Sequence, residues 1–200
     1  WGVQSFTIVA MVALGELEPV DYAVHADTGY ESSLTYAFAE RWTGWLEERG
    51  VRVATLRQNN PIINKYGFVQ IPSFTYSGQA KRQCTNHWKL IPIRKWIAQE
   101  LKRCGMSKTP GIVEQMIGIS TDEYHRANPS RVKYVKNIFP LIDLGMSRND
   151  CKIWLLEHGL EIPPKSSCVI CPYHNKAGWR DVKENERDWQ KALTVDSMLS

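Results

Sequence analysis

Three cysteines have the spacing of a shared centre. Cys168 and Cys171 are separated by two residues in a loop bounded by Pro163, Pro164, Ser166 and Ser167, and Cys84 precedes them within Arg82-Gln83-Cys84-Thr85. A Cys-x-x-Cys pair offers two thiolates to one metal, the commonest way an iron–sulfur cluster is held. Zinc is the rival, because Cys84-x-x-His87 with Cys168-x-x-Cys171 is an acceptable Cys₃His set; unliganded thiols are the third reading. Cys151 or His87 could complete the shell, His174 stands close to Cys171, and Cys104 is expected as a packed core thiol. The odd total of five cysteines points to a reducing, cytoplasmic setting rather than to disulfides.

A second group of residues suits phosphate. Gly2-Val3-Gln4-Ser5 runs straight into an apolar stretch. A helix starting there would aim unpaired N–H groups and a partial positive charge at an anion, with Gly2 allowing close approach and Ser5 adding a hydroxyl at the cap. Asp27-Thr28-Gly29 falls at the carboxyl end of the next strand, where open parallel sheets bind ligands. A carboxylate there could hold a ribose, a base or Mg²⁺ on phosphates; a plain strand-to-helix turn is the simpler alternative.

Charge is segregated along the chain. Residues 1–50 hold eight acidic and two basic side chains, whereas 81–108 hold eight basic ones against Glu100 alone. Arg126, Arg131, Lys133 and Lys136 form a further basic group. Positive charge gathered in this way suits a polyanion, nucleotide or nucleic acid, although a solvated helix face would show the same pattern. Lys81, Arg82 and Lys89 flank Cys84, and His87, Trp88 and Trp96 are interleaved with them as candidate base-stacking groups, with core packing the better expectation for Trp96.

The elements that must position these residues follow from periodicity. Helices are expected over 5–17, 35–49 and 91–104, strands over 21–26, 51–56 and 111–119, and a long loop over 58–80. Ser147 with Asp150 three residues on predicts a capped helix ending at His158-Gly159, and 175–199 is polar and helical. This alternation predicts an α/β fold, an open, mostly parallel sheet with helices on both faces. With 200 residues, 43% hydrophobic and 23% charged, the chain fits one domain and excludes disordered, collagenous and coiled-coil classes. No apolar run is long enough to cross a bilayer, and neither a membrane span nor a signal peptide is expected.

Taken in order, Gly2-Val3-Gln4-Ser5, His25-Ala26-Asp27-Thr28-Gly29, Gly118-Ile119-Ser120-Thr121-Asp122-Glu123 with Arg126, Pro140-Leu141-Ile142-Asp143 before a Ser-x-x-Asp helix, and Cys168-Val169-Ile170-Cys171 resemble the motifs of the adenine nucleotide α-hydrolase (PP-loop ATP pyrophosphatase) superfamily. The branch most similar is that of phosphoadenosine phosphosulfate reductase. The resemblance implies one PP-loop domain over 1–200, with 160–200 a cysteine-bearing extension packed on it, and a hydrophobic strand ahead of residue 1. It implies ATP with Mg²⁺ as cofactor, the pyrophosphate on Gly2, Val3, Gln4 and Ser5, and Asp27, Thr28 and Gly29 beside the ribose or magnesium. Gly118 and Arg126 fall to the adenine end or α-phosphate, and Ser5, Asp27 and Arg126 carry the catalytic roles. Gln4 stands where the family has aspartate and Trp1 where it has a glycine, which weakens the inferred hydrolysis relative to binding.

Cluster-bearing sulfonucleotide reductases have a Cys-Cys pair, about eighty residues, then Cys-x-x-Cys; here Gln83 takes one position of the first pair. The resemblance therefore implies a [4Fe–4S] cluster on Cys84, Cys168 and Cys171 with one iron open to sulfur, as in cluster-dependent nucleic-acid thiolases. The expected activity is ATP-dependent adenylation for sulfur insertion into nucleic acid, by DNA phosphorothioation or RNA thiolation, with a cysteine desulfurase or similar sulfur donor as partner. Two alternatives stay open: a sulfonucleotide reductase, disfavoured because no cysteine follows Cys171, and a non-catalytic nucleotide-binding module with structural zinc.

Overall fold

A computed structural model describes residues 1–57, 59–75, 78, 79 and 82–199. Lys81, one of the cations expected beside Cys84, lies outside the described residues. The chain divides into two compact units built from interleaved segments: Trp1–Ala23, Phe38–Ala54 and Ile97–Lys165 form unit 1, and Val24–Ala37, Thr55–Trp96 and Ser166–Ser200 form unit 2. The extension expected over 160–200 thus begins in unit 1 and belongs to unit 2 from Ser166.

The elements are mixed α and β. Helices α1 (Val3–Leu14), α2 (Ser33–Glu47), α3 (Ile91–Arg103), α4 (Pro140–Asp143), α5 (Arg148–Glu157), α6 (Lys176–Glu184) and α7 (Glu186–Leu199) are interspersed with short strands β1 (Ala23–Asp27), β2 (Val53–Arg57), β3 (Phe74–Thr75), β4 (Gly78–Gln79), β5 (Val113–Met116) and β6 (Val135–Ile138). Among the described residues the strands pair two by two, β1 with β2, β3 with β4, and β5 with β6. The β5–β6 pair is parallel, with Val113 opposite Val135 and Met116 opposite Ile138.

Unit 1 has an aromatic and aliphatic core. α1 is apolar nearly all round, so Val3, Phe6, Ile8 and Ala10 are all buried, and they meet Phe38, Leu141, Leu155 and Leu160. Phe6 packs edge-on against Phe38 at 4.9 Å between ring centres and against Trp42 at 5.2 Å. α5 opens with the expected capping box: Ser147 Oγ accepts from the Asp150 amide, and the Asp150 carboxylate accepts from the Ser147 amide at 2.8 Å. Cys151, one turn on, is fully buried in this core, and burial raises its thiol pKa.

Unit 2 has a separate core of Ile62, Ile71, Trp88, Val169, Ile170, Val182, Ala192 and Val195. α6 and α7 pack together as two helices broken at Asn185 rather than one continuous helix. α2 is held at its first turn by Asp188, 6% exposed, whose carboxylate accepts from the Ser33 amide at 2.9 Å and the Ser33 hydroxyl at 2.6 Å. This places negative charge where the helix dipole favours it. A π-helical turn over Thr85–Leu90 leads into α3.

Two expectations are corrected here. Cys104 is exposed, because α3 stops at Arg103 and Gly105 turns the chain away in the left-handed region (φ 67°). Trp88 is 3% exposed and stacks on Tyr30 at 5.5 Å, so it is core and closed to a nucleic-acid base.

Candidate functional site

In unit 1 the phosphate-type motif is a helix start, set two residues earlier than periodicity suggests. Gly2 is the N-cap, in an extended conformation (φ −115°, ψ 165°), so Ser5 lies inside the first turn and not at the cap. The Ser5 side chain is exposed, while Val3 faces the core. Gly118 closes directly over this turn: a β-carbon on it would lie 2.7 Å from the Ser5 amide nitrogen and 2.7 Å from its hydroxyl. No side chain fits there, so glycine is needed to bring the loop after β5 onto α1.

Gln4 is engaged at both ends. Its amide donates to Ser120 Oγ at 3.2 Å and Glu123 Oε2 at 3.1 Å, and its carbonyl accepts from Arg148 Nη1 at 3.0 Å. Asp122 completes the circuit: it accepts from the Arg148 amide at 3.0 Å and from Ser120, and these bonds, the Ser120 hydroxyl foremost, lower its pKa. Gln4 is 6% exposed and Ser120 fully buried, so the ring of bonds pins the Gly118–Glu123 loop to α1 and α5. Arg126 is exposed and tethered to Glu123 at 2.5 Å. Ser5, Gly118 and Arg126 therefore belong to one local assembly in unit 1, and Gln4 is its fastener. Its partners lie 116 to 144 residues away in sequence, so nothing local announces it.

Unit 2 holds the second motif together with the cysteines. At the carboxyl end of β1, Asp27 Oδ1 accepts from the Gly29 amide at 2.9 Å and the Tyr36 hydroxyl at 2.7 Å, and Arg57 stands 3.5 Å from Oδ2. Burial and the bond to Asp27 raise the Tyr36 pKa. Gly29 has φ +80°, a value its place in the turn reserves for glycine. Its carbonyl accepts from Lys191 Nζ at 2.7 Å. His25, on the same strand, is kept neutral as burial pushes its pKa down to about 3.

The cysteine loop docks on this turn. Thr28 Oγ1 lies 3.3 Å from Cys168 Sγ, the Val169 amide donates to the Tyr30 carbonyl at 2.8 Å, and Glu31 pairs with Cys168 in an antiparallel bridge. Cys168 and Cys171 sit on one tight turn, closed by the Cys171 amide on the Cys168 carbonyl at 3.0 Å. His174 Nε2 also bonds that carbonyl, at 2.9 Å, and its ring packs on Trp179, so this face of His174 holds the loop. Burial, then the nearby Glu31 carboxylate, push the Cys168 thiol up to about 11. Cys84 and Cys168 pack against the same core. The Nδ1 of His87 bonds Gln70 Oε1, which leaves Nε2 as the lone-pair nitrogen.

Glu31 escaped the sequence. It is 2% exposed, Lys89 Nζ reaches its Oε1 at 3.3 Å, and its Oε2 is buried with no hydrogen-bond partner among the described residues. A basic residue 58 positions away gives no local signal for a buried pair.

The donor set can be tested against the expected metal. Among the described residues no three His, Cys, Asp or Glu side chains are gathered to hold an ion. Cys168 and Cys171 share a turn and Cys84 packs against the same core as Cys168, so the three thiols belong to unit 2 without forming a ready three-ligand set among the described residues. Cys151 belongs to the core of unit 1. No helix among the described residues is long and apolar enough to cross a membrane.

No family model and no curated protein matches the chain.

Proposed function

We propose that the chain is an ATP pyrophosphatase that adenylates an oxygen of a nucleic acid and exchanges it for sulfur. The observation that carries this is the junction within unit 2: Thr28 Oγ1 and Cys168 Sγ are 3.3 Å apart, so a turn of nucleotide-binding type and a Cys-x-x-Cys turn form one piece of structure. Ligands of open parallel sheets lie beyond the carboxyl ends of the strands, and the Asp27–Gly29 turn follows the carboxyl end of β1, which supports reading the Cys168 thiol as a neighbour of a bound nucleotide.

In the reaction, an acceptor oxygen attacks the α-phosphate of ATP, the bond to the β-phosphate breaks and pyrophosphate leaves. Sulfur delivered as hydrosulfide then displaces AMP, which carries the oxygen away. The protein's part is positioning and charge neutralisation. Within unit 2, Asp27 is assigned to the ribose or magnesium of the nucleotide; within unit 1, the amides of residues 2–5, the Ser5 hydroxyl and Arg126 are assigned as anion-binding groups. Arg82 and Lys89 are assigned to the acceptor's phosphates. Cys84, Cys168 and Cys171, which are not gathered around one point among the described residues, would have to close together to hold a [4Fe–4S] cluster that binds the hydrosulfide, released when a thiol reductant cleaves the persulfide of a donor such as a cysteine desulfurase. The open, mostly parallel sheet proposed with this function draws its support from the parallel β5–β6 pair of unit 1 alone.

Pyrophosphate release from ATP, with and without DNA or RNA, tests the proposal. Release that rises with one nucleic acid supports it and names the acceptor. Intact ATP binding with no release under any condition refutes it in favour of a nucleotide-binding module, a role that the fully engaged Gln4 suits.

A further inference from the structure

The segment expected as a plain loop contains a built hairpin over 61–70. Ile63 pairs with Val69 in an antiparallel bridge, the Gln70 amide donates to the Ile62 carbonyl at 2.8 Å, and the Asn64 amide donates to the Phe68 carbonyl at 2.9 Å. Asn64 Oδ1 accepts from the amides of both Tyr66 (2.9 Å) and Phe68 (3.0 Å), which fixes the tip. Its base is anchored in the core of unit 2: Ile62, Val69 and Ile71 pack in the cluster that includes Cys84 and Cys168, and buried Gln70 bonds His87 three residues after Cys84.

What this hairpin presents is unusual for a tip held so firmly. Tyr66 is 70% exposed and Phe68 63%, and the Lys65 ammonium lies 4.9 Å from the centre of the Tyr66 ring. Residues 55–96, the central segment of unit 2, contain seven Lys or Arg and no Asp or Glu. Exposed rings on a rigid mount, within a stretch lacking negative charge, match the two needs of an unpaired strand: faces for its bases and cations for its phosphates. A duplex keeps its base faces covered, and an acidic protein surface would leave the two rings without use.

We propose that the 61–70 hairpin is a stacking platform for single-stranded nucleic acid, with Tyr66 and Phe68 receiving bases and Lys65 the adjoining phosphate. The proposal rests on the function given above and specifies how its acceptor is gripped.

Fluorescence anisotropy of a labelled oligo(dT) of about 15 nucleotides tests it at low salt, with Tyr66→Ala, Phe68→Ala, the double variant and Lys65→Ala. Each aromatic replacement should weaken binding about fivefold or more. Lys65→Ala should lower the salt slope by about one. Unchanged thermal melting, expected for exposed side chains, shows that the fold is kept. Wild-type protein that binds no oligo(dT), or a double variant that binds it normally, overturns the platform. So does a double variant that loses only self-association, which would assign the rings to a second copy of the chain. Pyrophosphate release from ATP with and without DNA or RNA, measured on the same preparations, separates the two proposals. If it is absent under every condition while the variants still lose oligo(dT), the enzymatic function fails and the platform stands.

Discussion

Replacing Gln4 by alanine should cost about 3 kcal/mol of folding stability. Three hydrogen bonds are lost, one to the neutral Ser120 hydroxyl and two to charged partners, Glu123 and Arg148. A neutral bond contributes about 1 kcal/mol and a charged one about 2. The total is discounted because the Glu123 side chain is 31% exposed and water can take up what it loses. Ser120 is fully buried and keeps only Asp122. For a chain of this size such a loss lowers Tm by about 6–12 °C. Urea unfolding followed by far-UV circular dichroism measures it, and a loss below about 1 kcal/mol would refute the fastening role. Gln4→Glu sharpens the test. It keeps the acceptor for Arg148 but sets a carboxylate against Glu123 Oε2, now 3.1 Å from the Gln4 amide nitrogen. Like charges there raise the pKa of the pair, so the penalty is full near neutral pH and is relieved as pH falls through that raised value. A penalty that grows in acid would contradict the geometry.

Other outcomes follow from the same structure. Ser147→Ala removes the α5 cap and should cost about 1 kcal/mol in urea unfolding. Asp188→Ala strips the Ser33 amide and hydroxyl of a 6% exposed carboxylate, and should cost about 3 kcal/mol by the same measurement. In metal-free protein the Cys168 thiol, raised to about 11 from an ordinary 9.0, favours folding below pH 9, and that contribution fades as pH rises through 11. The alkaline loss should be about 2–3 kcal/mol, and Cys168→Val should flatten this part of the stability–pH curve. Alkylation at pH 8 followed by peptide mass spectrometry should label exposed Cys104 first and Cys151 and Cys168 last.

Local signals were legible in the sequence and distant pairings were not. Ser147 with Asp150 carries its own cap, so α5 starts where spacing puts it. Likewise the apolar run after Gly2 makes a buried helix, although the cap lies at Gly2 and not Ser5, because extended backbone at the glycine lets the helix begin earlier. The Asp27-Thr28-Gly29 turn and the Cys-x-x-Cys loop were each recognisable, but their contact joins residues 140 apart. Composition cannot tell a stacking tryptophan from a core one, and Trp88 went to the core because Tyr30 covers its face. Cys104 went the other way, since a helix end, and not the apolar face before it, decides its exposure. The Tyr66–Phe68 tip was hidden by turn residues such as Asn64 and Gly67, which read as loop although they build a hairpin.

The sulfur centre is tested most directly by anaerobic purification with iron, zinc and acid-labile sulfide analysis, repeated on Cys84→Ser. The account predicts a coloured protein with iron and sulfide in equal amounts, both lost in the variant while ATP binding persists. A colourless protein holding one zinc ion, or a Cys84→Ser variant with its iron and sulfide intact, would contradict it.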